Sequence, residues 1–388
     1  MESWDTQAPD QRKPVSVLTG FLGSGKTTLL NHIVKQPEMK GTLVIVNEFG
    51  EIGLDHLLVE QVNDEMVLIN AGCLCCTVRN DLMETLMKQS LAAEQGKIPD
   101  FHRVVIETTG LADPAPILHT LMADPYIGGR YRMDGVITTV DAINGEGTLD
   151  KQFESVKQAA VADRIVLTKQ DIADEAQIRA LRERLKHLNP GAPVHEAESG
   201  KIDPSLLFDA GLFDPKNKIA DVEKWLQAEE IAAREEAEHG HHHHHGHDHD
   251  HGHHHGHGHD HEHGHGHDHH HDHHHDVNRH DESIRAYCMT VDEPIEASAF
   301  EEWINMAMML KGPDLLRIKG IVNVQDFKGP VVVHGVQHVF HPPVMLEEWP
   351  SDDHRTRLVF ITRDVEKEFL EELLKSFTGP DRRKVSFV

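Results

Sequence analysis

From residue 13 onward, short runs of apolar residues alternate with stretches in which apolar positions recur every three to four residues. That rhythm is expected of strands alternating with amphipathic helices around a largely parallel sheet. The runs predict strands at 14–19, 42–46, 66–70, 103–107, 135–141 and 164–168, and helices at 25–35, 77–93, 115–122, 151–160 and 175–188. The charged, Ala- and Glu-rich segment 221–238 predicts a solvated helix leaving this first domain. After residue 283 the pattern returns in a different order. Strands are predicted at 283–291, 315–327, 331–340 and 357–362, with helices near 297–310 and 365–377. That succession reads as a small α+β domain, an antiparallel sheet with helices on one face. The expected fold class is α/β, a largely parallel sheet followed by a small α+β C-terminal domain.

Between the two patterned regions, residues 239–280 hold 25 of the 35 histidines, interleaved with Asp and Gly. Almost no apolar residue is available there to bury a core, so the tract is expected to stay disordered. Neutral imidazole suits Zn²⁺, Ni²⁺, Co²⁺ and Cu²⁺. Histidines at alternate positions, such as His247, His249 and His251, let a flexible chain wrap an ion in many registers. The tract reads as a metal reservoir, with an inert polar linker as the alternative. His334, His338 and His341 are read as the solvent face of a strand, and His119 as a surface position on a helix.

A chain of 388 residues is long enough for two domains that each bury a core. The formal charge of −27 argues against a nucleic-acid partner, because phosphates would be repelled over most of the surface. No run approaches ~18 consecutive apolar residues, so no membrane-spanning helix is expected. The first residues, Met1-Glu2-Ser3-Trp4-Asp5, lack the pattern of a signal peptide, and residues 1–12 read as a disordered lead. Three of the four cysteines crowd into four positions, and the adjacent pair Cys75-Cys76 would bridge only under severe strain. Reduced thiols in a cytoplasm are expected.

The string Gly20-Phe21-Leu22-Gly23-Ser24-Gly25-Lys26-Thr27 fits G-x-x-x-x-G-K-[ST] and sits between a predicted strand and a predicted helix. Its glycines let backbone N–H groups converge on phosphate, and the helix N-terminus adds a favourable dipole. Lys26 is expected to reach the β- and γ-phosphates, and the Thr27 hydroxyl to ligate Mg²⁺. Glu107 ends an apolar strand in Glu107-Thr108-Thr109-Gly110, where an acid can hold the Mg²⁺ shell or orient water. Gly110 can offer its N–H to the γ-phosphate, so this stretch can sense hydrolysis. Further on, Thr168-Lys169-Gln170-Asp171 follows another buried strand. A carboxylate at Asp171 can accept two N–H bonds from guanine while the Lys169 stem lies over the base. Thr168 stands where GTPases commonly carry Asn. Ser199-Gly200-Lys201 is a weaker candidate for a loop behind the base.

The string Gly72-Cys73-Leu74-Cys75-Cys76 follows one predicted strand and precedes a helix. A cysteine at a helix N-terminus has a lowered pKa, which favours the metal-binding thiolate. Gly72 supplies the sharp turn that Cys73, Cys75 and Cys76 need to meet one ion. Glu48, Glu51 or water could take the fourth position. Three protein ligands with one labile position suit an ion that is delivered as well as held. Buried apolar cysteines or a redox pair are the alternatives.

These strings, together with Thr28, Asn47-Glu48-Phe49-Gly50-Glu51-Ile52-Gly53 and Gly110-Leu111-Ala112-Asp113-Pro114, resemble the CobW family of metal-handling GTPases, which stands with the hydrogenase and urease nickel-insertion GTPases among P-loop proteins. The resemblance runs from Val15 to about residue 188 and resumes over 283–388, where Leu316-Arg317-Ile318-Lys319-Gly320 looks like the core of the family's C-terminal domain. It implies a P-loop NTPase fold and a GTPase that binds Zn²⁺, or in some members Co²⁺, at the cysteine motif and passes it to a client metalloprotein. It also implies that 47–53 is a switch segment near the γ-phosphate. The implied organisation is a GTPase domain at 13–220, a linker helix at 221–238, the His-rich tract at 239–280 and a CobW-type domain at 283–388. Catalysis falls to Lys26, Thr27, Glu107 and Gly110. GTP and Mg²⁺ fall to Gly20, Gly23, Ser24, Gly25, Lys26, Thr27, Thr28, Thr168, Lys169 and Asp171. Rival readings are a cobalt-handling GTPase of cobalamin synthesis, a metal store with weak turnover, and an ATP-dependent small-molecule kinase. The oligomeric state is left open between monomer and homo-oligomer.

Overall fold

A computed structural model describes residues 11–46, 67–70, 78–208, 283–340 and 343–378, with the backbone alone at 67–70 and 78–81. The expected lead, the helix at 221–238 and the His-rich tract fall outside the described residues, apart from the last two positions of the lead. The first domain runs β1 (Lys13–Gly20), α1 (Lys26–Ile33), β2 (Thr42–Val46), β3 (Val67–Asn70), α2 (Val78–Glu94), β4 (Arg103–Glu107), α3 (Ala115–Ala123), α4 (Pro125–Arg130), β5 (Tyr131–Asp141), α5 (Gly145–Lys151), α6 (Phe153–Ala160), β6 (Arg164–Thr168), α7 (Glu175–Leu188) and β7 (Val194–Ala197). Its strands form a 7-stranded parallel sheet in the order β3-β2-β4-β1-β5-β6-β7. β2 and β4 are buried at every position, as a parallel sheet covered on both faces requires. The period of two assigns the faces. Val15, Val17, Leu43 and Ile45 pack with Leu86 and Leu118 on one side, while Leu18 and Val44 pack with Leu29, Leu30 and Ile33 on the other.

Two local expectations are corrected. The helix predicted at 151–160 begins at Phe153, because Gln152 takes an extended backbone (φ −125°, ψ 104°) that separates it from α5, a helix the apolar pattern did not predict. β5 begins at Tyr131 rather than 135, since Tyr131, Arg132 and Met133 pair with Lys13, Pro14 and Val15 of β1. The polar Asp134 hid this extension from the apolar pattern. It is buried and accepts from Ser16 Oγ at 2.7 Å.

The second domain runs β8 (Ile284–Val291), α8 (Ala297–Lys311), β9 (Leu315–Val322), β10 (Val331–Val336), β11 (Val339–Phe340), β12 (Val344–Met345), β13 (Thr356–Arg363) and α9 (Lys367–Thr378). Its sheet is antiparallel in the order β11-β10-β9-β13-β8, with β12 on β10. Trp303, Ile318, Phe360 and Leu370 form the core beneath α8 and α9. The single strand predicted at 331–340 is a hairpin instead. Val336 pairs with Val339 across a turn at Gln337-His338, and Gln337 sits at φ 53°. The strand predicted at 315–327 ends at Val322, and Asp326 turns the chain at φ 67°.

The other side of this sheet lies on the first domain. Ile284, Leu316 and Ile361 join Val156, Leu181 and Leu185 in one apolar cluster. At its edge sits Asp163, 3 % exposed in its side chain, which accepts the Val136 N–H at 2.9 Å and pairs with Arg317 and, at 3.2 Å, Lys319. Burial alone would raise the Asp163 pKa, but Arg317, Lys319 and His334 outweigh it and hold the carboxyl well below its usual range. Burial, with the Arg317 charge beside it, brings Lys319 down to about 8. His334 was expected to face solvent; it is buried, with Nε2 4.0 Å from Asp163 Oδ1, because the first domain covers that face. His338 is exposed at the hairpin tip, and His341 lies outside the described residues.

Candidate nucleotide site and the root of the thiol site

Parallel strands bring their carboxyl ends to one edge of the sheet, where ligands of open α/β folds bind. β1 ends there at Gly20, and three glycines of the following turn take positive φ: Gly20 at 142°, Gly23 at 73° and Gly25 at 90°. A Cβ at Gly20 would lie 2.3 Å from Thr139 Oγ1, so only glycine fits beside β5. The first-turn N–H groups of α1, which begins at Lys26, have no partner within the helix and form the other wall of an anion cradle. Lys26 is buried and curls back into this cradle, donating from Nζ to the carbonyls of Gly20 at 2.9 Å and Phe21 at 3.1 Å.

Thr27 Oγ1 donates to Glu107 Oε1 at 2.8 Å, joining the phosphate loop to the end of β4. A hydroxyl and a carboxylate oxygen side by side are hard donors of the type Mg²⁺ takes, so the residues present fit that ion. Ser24 Oγ contacts Thr139 Oγ1 at 2.6 Å, and its carbonyl accepts from Thr168 Oγ1 at 2.7 Å. Thr168 therefore ties the end of β6 to the phosphate loop. Lys169 sits at φ 57°, half-buried, with Nζ 2.6 Å from Asp141 Oδ2. Burial pushes the Asp141 pKa up, but Lys169, Asn144 and two backbone N–H groups more than offset it, leaving the carboxyl below its usual value. Asp171 is exposed. A Cβ at Gly200 would lie 2.7 Å from the Thr28 carbonyl, so the 199–201 turn abuts α1.

The stretch 108–113 is held from three directions. Thr108 N–H donates to the Leu18 carbonyl at 2.9 Å. On α6, Gln158 Nε2 donates to the carbonyls of Gly110 at 3.3 Å and Ala112 at 3.0 Å, and Lys157 pairs with Asp113. From the second domain, Gln337 Nε2 reaches Asp113 Oδ2 at 3.5 Å. Asp141, Lys157, Gln158 and Gln337 were missed by sequence reasoning. Asp141 alone carried a local signal, as an acid closing a buried strand on the same edge as Glu107.

Gly110 lies so close to the phosphate loop that a Cβ would meet Leu22 N at 2.6 Å. Ordinary contact needs about 1 Å more, and shifts of that size in catalytic geometry cost about 10²-fold. Gly110→Ala is therefore expected to lower nucleotide turnover at this site by about ten- to hundredfold, and the displaced Leu22 backbone to lower Tm by a few degrees. Unchanged turnover would remove this loop from the catalytic machinery.

The proposed metal residues Cys73, Cys75, Cys76, Glu48, Glu51, His247, His249 and His251 lie outside the described residues, as does 47–53. The root of the thiol string is described. Asn70 at the end of β3 is in register with Val46, Val46 with Glu107, and Glu107 with Leu18. With strands about 4.8 Å apart, the chain leaves β3 about 10 Å from the Glu107 backbone. Cys73 follows three residues later, and α2 begins two residues after Cys76. Among the described residues no group of three or more His, Cys, Asp or Glu could hold a metal ion.

A parallel sheet with a glycine cradle, a buried lysine at its mouth and a Thr–Glu pair beneath it defines a P-loop NTPase domain. Residues 14–196 match the CobW/HypB/UreG nucleotide-binding domain, and residues 284–378 match the cobalamin synthesis protein cobW C-terminal domain. The chain belongs to the CobW family. It is 41% identical over 199 residues to the zinc chaperone YjiA of Escherichia coli, a match covering 51% of this chain and 62% of that protein. It is 34% identical over 212 residues to zinc-regulated GTPase metalloprotein activator 1 of Schizosaccharomyces pombe, covering 53% of this chain and 50% of that protein. The chain thus spans less than two thirds of the length of these relatives. Its fold is similar to the crystal structure of Zn(II)-bound YjiA GTPase from E. coli, with TM-score 0.63 and 25% identity over 94% of this chain and 99% of that one.

Proposed function

We propose that this protein hydrolyses GTP to control a zinc ion held by Cys73, Cys75 and Cys76, and that it delivers the ion to a client protein in the cytoplasm. The observation that carries the reading is the Thr27–Glu107 hydrogen bond, 2.8 Å long, on a strand in register with the root of the thiol string. The names of the relatives, a zinc chaperone and a zinc-regulated GTPase activator, support zinc over cobalt. Among the described residues no helix is long and apolar enough to cross a membrane.

Gly20, Gly23, Ser24 and Gly25 wrap the phosphates with backbone N–H groups, and Thr28 continues α1 behind them. Lys26 exchanges its loop carbonyls for phosphate oxygens, so its charge is already in place when nucleotide arrives. Thr27 and Glu107 would hold the shell of Mg²⁺, which would supply positive charge to the phosphates. Gly110 N–H reports the γ-phosphate, and Gln158 and Asp113 carry its position to α6 and the second domain. Thr168 braces the loop while Lys169 and Asp171 select guanine. Loss of the γ-phosphate relaxes 108–113 and, one and two strands away, the segments that hold Glu48, Glu51 and the cysteines. The histidine tract keeps a local supply of metal.

By linkage, GTP must raise metal affinity by the factor by which metal raises GTP affinity. Zn²⁺ binding is measured by chelator competition with and without a non-hydrolysable GTP analogue. A variant with Cys73, Cys75 and Cys76 changed to Ser gives the background from the tract. The cysteine-dependent affinity is expected to rise about 5- to 150-fold with the analogue. Equal affinities would sink the coupling.

A further inference from the structure

The hairpin tip of the second domain meets the first domain at a pair of histidines. His119, half-buried on α3, and His338, exposed at the β10–β11 turn, have ring centroids 5.4 Å apart with planes tilted by 47°. Two imidazoles that share a tetrahedral ion through Zn–N bonds of about 2.0–2.1 Å place their centroids about 5 Å apart. The observed spacing lies within about 0.5 Å of that value.

The pair is held on fixed elements. Val336, at the foot of the turn, packs into the cluster that contains Ile117, Leu118 and Leu121 of α3. Gln337 takes φ 53°, an uncommon conformation for a residue other than Gly, Asn or Asp, and reaches Asp113 just before α3. The strained tip thus places one residue on the 108–113 stretch and the next on α3. His338 is open to solvent, so an ion has access.

We propose that His119 and His338 form an interdomain site for a borderline divalent cation of the Zn²⁺ class, separate from the cysteines. Two protein ligands with water in the remaining positions make an exchangeable site whose occupancy follows free metal. An ion there fastens the second domain to the helix that follows the γ-phosphate stretch, so metal supply acts on nucleotide turnover. That last consequence rests on the GTPase reading; the site itself does not.

The test is residue-resolved, so the tract cannot mask it. The full chain is treated with diethylpyrocarbonate with and without Zn²⁺, and modification of the peptides carrying His119 and His338 is followed by mass spectrometry. Zn²⁺ is expected to slow modification of both severalfold. In His338→Asn, changed at an exposed tip, Zn²⁺ is expected to lose its protection of His119, and His119→Asn should do the same for His338. Both rates unchanged by Zn²⁺, or protection of His119 persisting in His338→Asn, would overturn the site. Cys75→Ser/Cys76→Ser is expected to keep the protection. Its loss there would also overturn a separate site, whereas failure of the metal–GTP linkage would leave the site standing.

Discussion

Lys26→Ala is expected to abolish measurable GTP turnover, a loss of about 10³-fold or more, with the fold intact. The ammonium is buried and already held at the loop mouth by the carbonyls of Gly20 and Phe21. Its charge therefore needs no reorganisation when phosphates arrive, and preorganised charge of this kind supplies a large part of phosphoryl-transfer catalysis. Removing it leaves the backbone cradle and Thr27 in place, so GTP binding should weaken less than turnover. Steady-state phosphate release and nucleotide titration on both proteins check the split. Turnover that survives in Lys26→Ala would come from a contaminant or another site, and would favour the metal-store reading.

Asp163→Asn is expected to destabilise the protein by about 3–5 kcal/mol, read as a fall in Tm of about 10 °C. The amide can still accept from Val136 N–H, but Arg317 and Lys319 lose the carboxylate that compensates them at the domain interface. Adding Arg317→Met to Asp163→Asn should recover part of the loss, because one uncompensated cation goes with it. The pH dependence has a definite sign. The folded pKa of Asp163 lies well below the unfolded value near 3.8. Its stabilising contribution is therefore complete above about pH 4 and is lost as pH falls through the folded pKa. The gap in Tm between wild type and Asp163→Asn should close in strong acid, and it should also narrow as pH rises toward about 8, where Lys319 sheds the proton that leaves it uncompensated in the variant. A gap that stayed open in strong acid would assign the effect to another group.

Much of the nucleotide site was legible because its signals are local. Gly20 to Thr28 announce a phosphate loop by spacing, and the loop folds with glycines at the positive φ that spacing implies. Glu107 was legible as an acid ending a buried strand, and it meets Thr27. Thr168 departs from the Asn common in GTPases, yet its hydroxyl makes a tie to Ser24 O that the sequence alone did not suggest. Lys157 and Gln158 carried no mark, since a Lys-Gln pair on an amphipathic helix looks like any solvated face. The hairpin at Gln337 was missed because only two residues, Gln337 and His338, separate Val336 from Val339, and the reversal depends on the backbone conformation of Gln337 rather than on Gly, Pro or Asn in the turn.

The sequence by itself determined the class of the first domain, its phosphate loop, the thiol string and the histidine-rich insertion, because each is written in periodicity or spacing over a few adjacent residues. Tertiary structure alone decided how the two domains meet. Asp163 and Arg317 are 154 positions apart, and Asp113 and Gln337 are 224 apart. No local pattern can specify such pairs, since they exist only once two sheets have packed and fixed which face of each is covered. For the same reason His334 changed from a solvent-facing residue to a buried one, and His119 from a surface position to one member of an interdomain pair.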